Sequence, residues 1–142
     1  MGVRQIAQQI LDSVLLPDGV LSHHIRRIET DTISGGGTVN NDEYVIYRVV
    51  SARGRTYGDG NARRVERFID VNYYYSYDKT DIRVQDATER IKAIKAAFLA
   101  DGRFFIVNDE SDLPDLDNPF RGINVEFRFV GVEDVEEDND ES

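Results

Sequence analysis

The chain has 142 residues, 40% of them apolar, with seven Phe and seven Tyr but no Trp and no Cys. That is the length of one domain with enough apolar surface for one core. The lack of cysteine excludes disulfides, thiolate metal sites and a cysteine nucleophile, and it fits a reducing compartment.

The net charge of −10 is unevenly spread. Glu133 to Ser142 holds seven acidic residues and no basic one, so taking those seven away leaves −3 for the body. Such a body favours solubility and disfavours general affinity for nucleic acid. No apolar run reaches the ~18 residues of a membrane helix. The first residues mix Arg4 with Gln8, Gln9 and Asp12, unlike a secretory leader. A cytosolic protein without a targeting signal is expected.

In chain order, Val3, Ile6, Ile10, Leu11 and Val14 recur at helical spacing, and Pro17-Asp18-Gly19 ends that helix. Val20 to Thr30 reads equally as a short strand or an irregular segment. Ser34-Gly35-Gly36-Gly37 marks a flexible loop. Tyr44 to Val50, apolar on both faces, predicts a central strand. Ser51 to Arg64 predicts a long loop or hairpin tip. Val65 to Tyr77 predicts a long strand. Its core face is Val65, Arg67, Ile69, Val71, Tyr73, Tyr75 and Tyr77, and its half-wet face is Glu66, Phe68, Asp70, Asn72, Tyr74 and Ser76. Ala87, Ile91, Ile94 and Phe98 form the stripe of a second helix, with Asp86 as its N-cap, Glu89 completing a capping box and Asp101-Gly102 as its stop. Arg103 to Val107 predicts a short strand and Asn108 to Asn118 an acidic loop. Ile123, Val125, Phe127 and Phe129 alternate as a last strand. The expected fold class is α+β: a mostly antiparallel sheet of four to five strands, two helices packed on one face, and an Arg-rich hairpin extension. Residues 1–132 form the single domain, and 133–142 a disordered acidic tail.

The chemistry-bearing residues form few constellations. His23 and His24 are adjacent, so an extended chain points them to opposite faces, and surface histidines are the expected reading over a metal pair. The acidic loop fails the calcium-loop pattern, since the sixth position counted from Asp115 is Phe120 instead of Gly. No phosphate-binding glycine loop and no nucleophile elbow is present. No cofactor, no metal and no catalytic residue is assigned, and the protein is not expected to be an enzyme.

The Arg cluster has two readings. Arg48, Arg53, Arg55, Arg63, Arg64 and Arg67, with Tyr57 among them, form either an arm that contacts a partner chain or DNA phosphates, or a solvated loop balancing the acidic tail. A loop of this length inside a compact domain favours the contact role. Tyr74, on the half-wet face, suits an interface and equally a second buried sheet face.

The order of features resembles the tail terminator and tail-to-head joining proteins of long, non-contractile-tailed phages. It runs from the N-terminal amphipathic helix and its Pro-Gly break through Arg27-Ile28 ahead of a Gly-rich loop to the strand Tyr44-Val45-Ile46-Tyr47. After a hairpin tip follow the strand Arg67 to Tyr74, Asp86 and the helix with Ile91 and Phe98, and the last strand Asn124 to Phe129. The resemblance covers Val3 to Val132. It departs from the pattern at Ser34-Gly35-Gly36-Gly37-Thr38, which lacks prolines, and in its very acidic tail. It implies a virion protein, made in the host cytoplasm, that forms a homo-oligomeric ring at the head–tail junction. Its partners would be itself, the tail tube protein and the head-connector protein, with DNA at most passing through the ring and no membrane. The rival expectation is a small nucleic-acid-binding or regulatory domain using the Arg-rich hairpin 51–67.

Overall fold

A computed structural model describes residues 2–27, 32–33, 37–51, 62–76, 82–113 and 120–134. The elements are α1 (Val3–Leu15), a 3-10 turn (Leu16–Asp18), β1 (Leu21–His24), β2 (Thr32–Ile33), β3 (Gly37–Thr38), β4 (Glu43–Ser51), β5 (Ala62–Ser76), α2 (Ile82–Asp101), β6 (Phe104–Leu113) and β7 (Phe120–Asp134). The class is α+β. Five strands form one sheet in the order β1-β4-β5-β7-β6, and β2 and β3 make a separate two-stranded ladder. All neighbours in the large sheet are antiparallel except β1 and β4, which are parallel.

The first helix follows its sequence signals. Gln5 accepts a hydrogen bond from the Gly2 N–H at 3.0 Å, which satisfies one of the free donors of the first turn. Pro17 tightens the end into a 3-10 turn. Gly19 then takes φ 77°, a left-handed conformation that suits glycine, and the Gly19 and Val20 N–H groups close on Leu16 and Leu15.

Alternation sorts the strands into two faces. Val45, Tyr47 and Val49 of β4, Ile69, Val71, Tyr73 and Tyr75 of β5, Val125, Phe127 and Phe129 of β7 and Phe104 of β6 are buried in one core. The same core takes in Val3, Ile6, Ala7, Leu11 and Leu15 of α1 and Ala87, Ile91, Ile94 and Phe98 of α2. Phe98 anchors α2 there: its ring stacks on Phe127 at 4.4 Å and meets Phe104 edge-on at 5.0 Å. Near α1, the Tyr47 hydroxyl donates to Gln8 at 2.6 Å, and Gln8 donates in turn to Ser22 at 2.8 Å.

Several boundaries differ from the sequence expectations. The ambiguous segment after Val20 contains a strand, β1, and its parallel pairing is a long-range choice that no local pattern announces. The helix predicted to start at an Asp86 N-cap begins a turn earlier, at Ile82, because Arg83, Val84 and Gln85 are all compatible with helix. The segment predicted as an acidic loop from Asn108 is strand as far as Leu113, with register shifts between Ile106 and Asn108 and between Asn108 and Ser111. An edge strand tolerates such irregularity and such charge. Residues predicted at the end of the Arg-rich loop, Arg63 and Arg64, are in β5 opposite Glu133 and Val132. β7 runs two residues past Val132, and residues 135–142 lie outside the described residues.

Candidate interaction surface

The even-numbered residues of β4, β5 and β7 make the second face of the sheet. The register sets them in rows. Leu21, Tyr44, Tyr74, Gly122 and Leu113 form one row, and His23, Ile46, Asn72, Asn124 and Ser111 the next. Arg48, Asp70, Glu126 and Asn108 follow, then Val50, Phe68, Arg128 and Phe105. Most of these side chains are half-buried or exposed, in contrast to the sealed core face.

Aromatic rings gather in and beside the first row. Tyr44 stacks on Tyr74 with centroids 4.9 Å apart, and Phe120 meets Tyr44 edge-on at 5.4 Å. The Arg27 guanidinium lies over the Tyr44 ring at 4.0 Å and over Phe120 at 5.7 Å, within cation–π range. Burial raises the Tyr44 hydroxyl above its usual range, with Arg27 opposing, and burial also raises Tyr74, reinforced by Tyr44 and Asp70. Both rings therefore remain neutral phenols well beyond physiological pH.

Arg27 reaches that position because the chain turns sharply after β1. The Arg26 N–H donates to the His24 carbonyl at 2.9 Å, a two-residue closure, and the residue between, Ile25, has φ 77°. A β-branched residue in that region is strained by about 1–3 kcal/mol, and this γ-turn geometry is rare. The Ile25 N–H bond to the Tyr47 carbonyl at 2.9 Å helps to hold it.

Several polar groups of the middle rows bond to one another. Asn124 donates to Asp70 at 2.6 Å and to Asn72 at 2.8 Å, and Asn108 donates to Glu126 at 2.6 Å. Arg128 pairs with Glu66. Beyond them the surface is apolar again: Val50, Phe105 and Val107 are large exposed hydrophobics, with Phe105 at 51% of its full exposure.

Of the residues singled out from sequence, Tyr74 lies on this face in the ring cluster. Arg53, Arg55 and Tyr57 fall outside the described residues, and the backbones of Arg63 and Arg64 lie far along β5 from Tyr74. Among the described residues of that set, Arg63 and Arg64 are not beside Tyr74. Sequence reading missed Arg27, Tyr44 and Phe120. Tyr44 was legible as the row partner of a Tyr on a half-wet face, whereas Arg27 needs the strained turn. The histidines do point to opposite faces by register. His23 is beside Ile46 on the open face, and the His24 ring tilts against Tyr47 at 5.4 Å on the core side. Both are half-buried, so neither is a plain surface residue.

Charged side chains also tie the second helix to the sheet. Glu43, 4% exposed, accepts from the Tyr73 hydroxyl at 2.8 Å, from Arg90 Nε at 2.8 Å and from Asn40 at 3.0 Å, and Arg90 also pairs with Asp18 at 2.7 Å. Burial opposes the charge of Arg90, but the hydrogen bonds to Glu43 and Asp18 outweigh it and raise its pKa. Among the described residues, no three His, Asp or Glu side chains converge as metal ligands would, and no helix is long and apolar enough to cross a membrane. In comparisons with known proteins, no family model matches the chain and no curated protein matches it significantly.

Proposed function

We propose that this chain is a structural virion subunit that joins copies of itself into a ring at the head–tail junction, ending the tail tube and joining it to the head. The observation that carries the protein-binding part of this reading is the open sheet face. It combines stacked tyrosines under an arginine, exposed Phe105 and Val50, and a polar centre in which several hydrogen bonds are made internally. Aromatic and arginine anchors with few torsions to freeze are what protein interfaces use. Glu66, Asp70 and Glu126 balance Arg27, Arg48 and Arg128 on this face, which therefore lacks the net positive charge that phosphate binding uses. The place in the virion rests on the resemblance in feature order. On this reading the tail tube protein and the head connector occupy the two ends of the ring, and DNA only passes through it.

Electron microscopy of the purified protein tests the reading. Closed rings with a central opening are expected, with addition of the protein to purified tail tubes placing density at a tube end. A field of single small particles, with tubes left bare, would contradict it.

A further inference from the structure

Along the strands, the rows of the open face run apolar, polar, polar, apolar. Tyr44 and Tyr74 stand at one end, and Val50 and Phe68 at the other. Between them lie the row of Asn72 and Asn124 and the row of Asp70 and Glu126. The charges balance, with Arg27, Arg48 and Arg128 against Glu66, Asp70 and Glu126. A neutral face with two apolar ends meets a copy of itself without net repulsion, and its polar centre decides the orientation.

Two copies that pack these faces symmetrically are related by a two-fold axis lying between the sheets. An axis along the strands, through the centre of the face between β5 and β7, keeps each row opposite itself. It sets Asp70 of one copy on Glu126 of the other, and like charges facing across a desolvated contact are costly. Moving that axis to lie between β4 and β5 avoids the clash but leaves exposed Phe105 of β6 outside the contact. An axis across the strands, midway between the two polar rows, exchanges the rows instead. Asn72 then faces Asp70 and Asn124 faces Glu126, so amides meet carboxylates. Asn72 accepts from Asn124 through Oδ1 at 2.8 Å, which leaves its own N–H groups to donate. Asp70 accepts from Asn124 through one oxygen, and a carboxylate has room for further donors. The end rows exchange as well, so Tyr44 meets Val50 and Tyr74 meets Phe68. Facing sheets lie about 10 Å apart with their strands turned by about 30°, which keeps the pairs of the central strands β5 and β7 opposed and displaces the outer ones.

We propose that the open face binds the open face of a second copy, about a two-fold axis that crosses the strands between the row of Asn72 and the row of Asp70. A second copy is the occupant because the face complements itself in both charge and apolar surface in that one orientation. The pairing needs only the open face and holds whether or not a ring forms. It is complete with two copies, so a ring that contains it is assembled from pairs and uses a second surface between them.

The chain has no cysteine, so engineered thiols report the contact without interference. Arg48 is one residue from the axis along β4, and Val50 and Tyr44 are three residues from it on either side. At about 3.4 Å per residue, two Arg48 positions are offset by about 7 Å along the strand and two Val50 positions by about 20 Å. With a short bis-maleimide, Arg48→Cys is expected to link to itself. Val50→Cys and Tyr44→Cys are expected to link when mixed, and neither alone. Leu99→Cys, exposed on α2, is the control for chance collision and should stay unlinked. If Tyr44→Cys does not fold, Arg48→Cys and Val50→Cys carry the test. Linking of Val50→Cys to itself would overturn the proposal in favour of an axis along the strands. Arg48→Cys linking no more than Leu99→Cys, in protein that sediments as an oligomer, would overturn it while leaving the ring reading intact. Protein that is monomeric at every concentration would overturn both.

Discussion

Arg90 of α2 donates through Nε to Glu43 of β4 at 2.8 Å, across 47 residues of sequence. The Glu43 carboxylate is almost wholly buried, so this ion pair ties the second helix to the sheet at a point where an unpaired charge is costly. Arg90→Met is expected to destabilise the fold by about 3–5 kcal/mol, since it strands a buried carboxylate. Adding Glu43→Leu to that variant removes the orphaned charge and should recover part of the loss. Urea denaturation of the two variants checks this. A double variant no more stable than the single one would mean that Glu43 is solvated after all.

Ile94 is fully buried in the stripe that faces the sheet. Ile94→Asp inserts an unpartnered carboxylate whose burial costs several kcal/mol, a large share of a total stability of about 5–15 kcal/mol. Loss of the cooperative melting transition in circular dichroism is the expected outcome. A soluble variant that melts cooperatively near the wild-type temperature would show that the helix presents another face.

Gly131 is a glycine for reasons of space. A Cβ there meets the Phe129 ring at 2.8 Å and the Arg103 side chain at 3.5 Å, and Phe129 is itself fully buried and has no room to give. Gly131→Ala should cost about 1–3 kcal/mol, the usual range for overpacking. Thermal melting against the wild type reads it out. An unchanged melting temperature would show that the ring moves freely.

His23 supplies a pH dependence. Burial, and then the positive charge of Arg27, lower its pKa below the usual 6.5. The unfolded chain therefore takes up the proton first as the pH falls through 6.5, and stability is lost on acidification until the folded-state pKa is passed. Melting temperature measured from pH 7.5 down to pH 5 should fall, and His23→Gln should flatten that fall. An identical slope in the variant would place the effect on other groups.

Much of the fold is legible in the sequence because burial imposes periodicity. Ala87, Ile91, Ile94 and Phe98 are spaced for a helix face and are all buried, and Ile69, Val71, Tyr73 and Tyr75 alternate because one side of β5 meets the core. The parts that were not legible depend on long-range partners. β1 becomes a strand only by pairing with β4, and Asn108 to Leu113 only by pairing with β7. The buried Glu43–Arg90 pair joins two residues that each look like ordinary surface charges. The interaction surface was half legible: Tyr74 stood out on the half-wet face, but Arg27 lies on its neighbour Tyr44 only through the strained turn at Ile25.

On the reading proposed above, the exposed sheet surface binds other copies of the chain. Sedimentation equilibrium over a wide concentration range tests it most directly, on the wild type and on Phe105→Glu, which places a charge on an exposed position of β6. The account predicts a wild-type mass that is a whole multiple of the 16.2 kDa subunit and independent of concentration above the assembly point. It also predicts a shift toward 16.2 kDa in the variant, with the wild-type circular dichroism spectrum retained. A wild type of 16.2 kDa at every concentration would contradict the account.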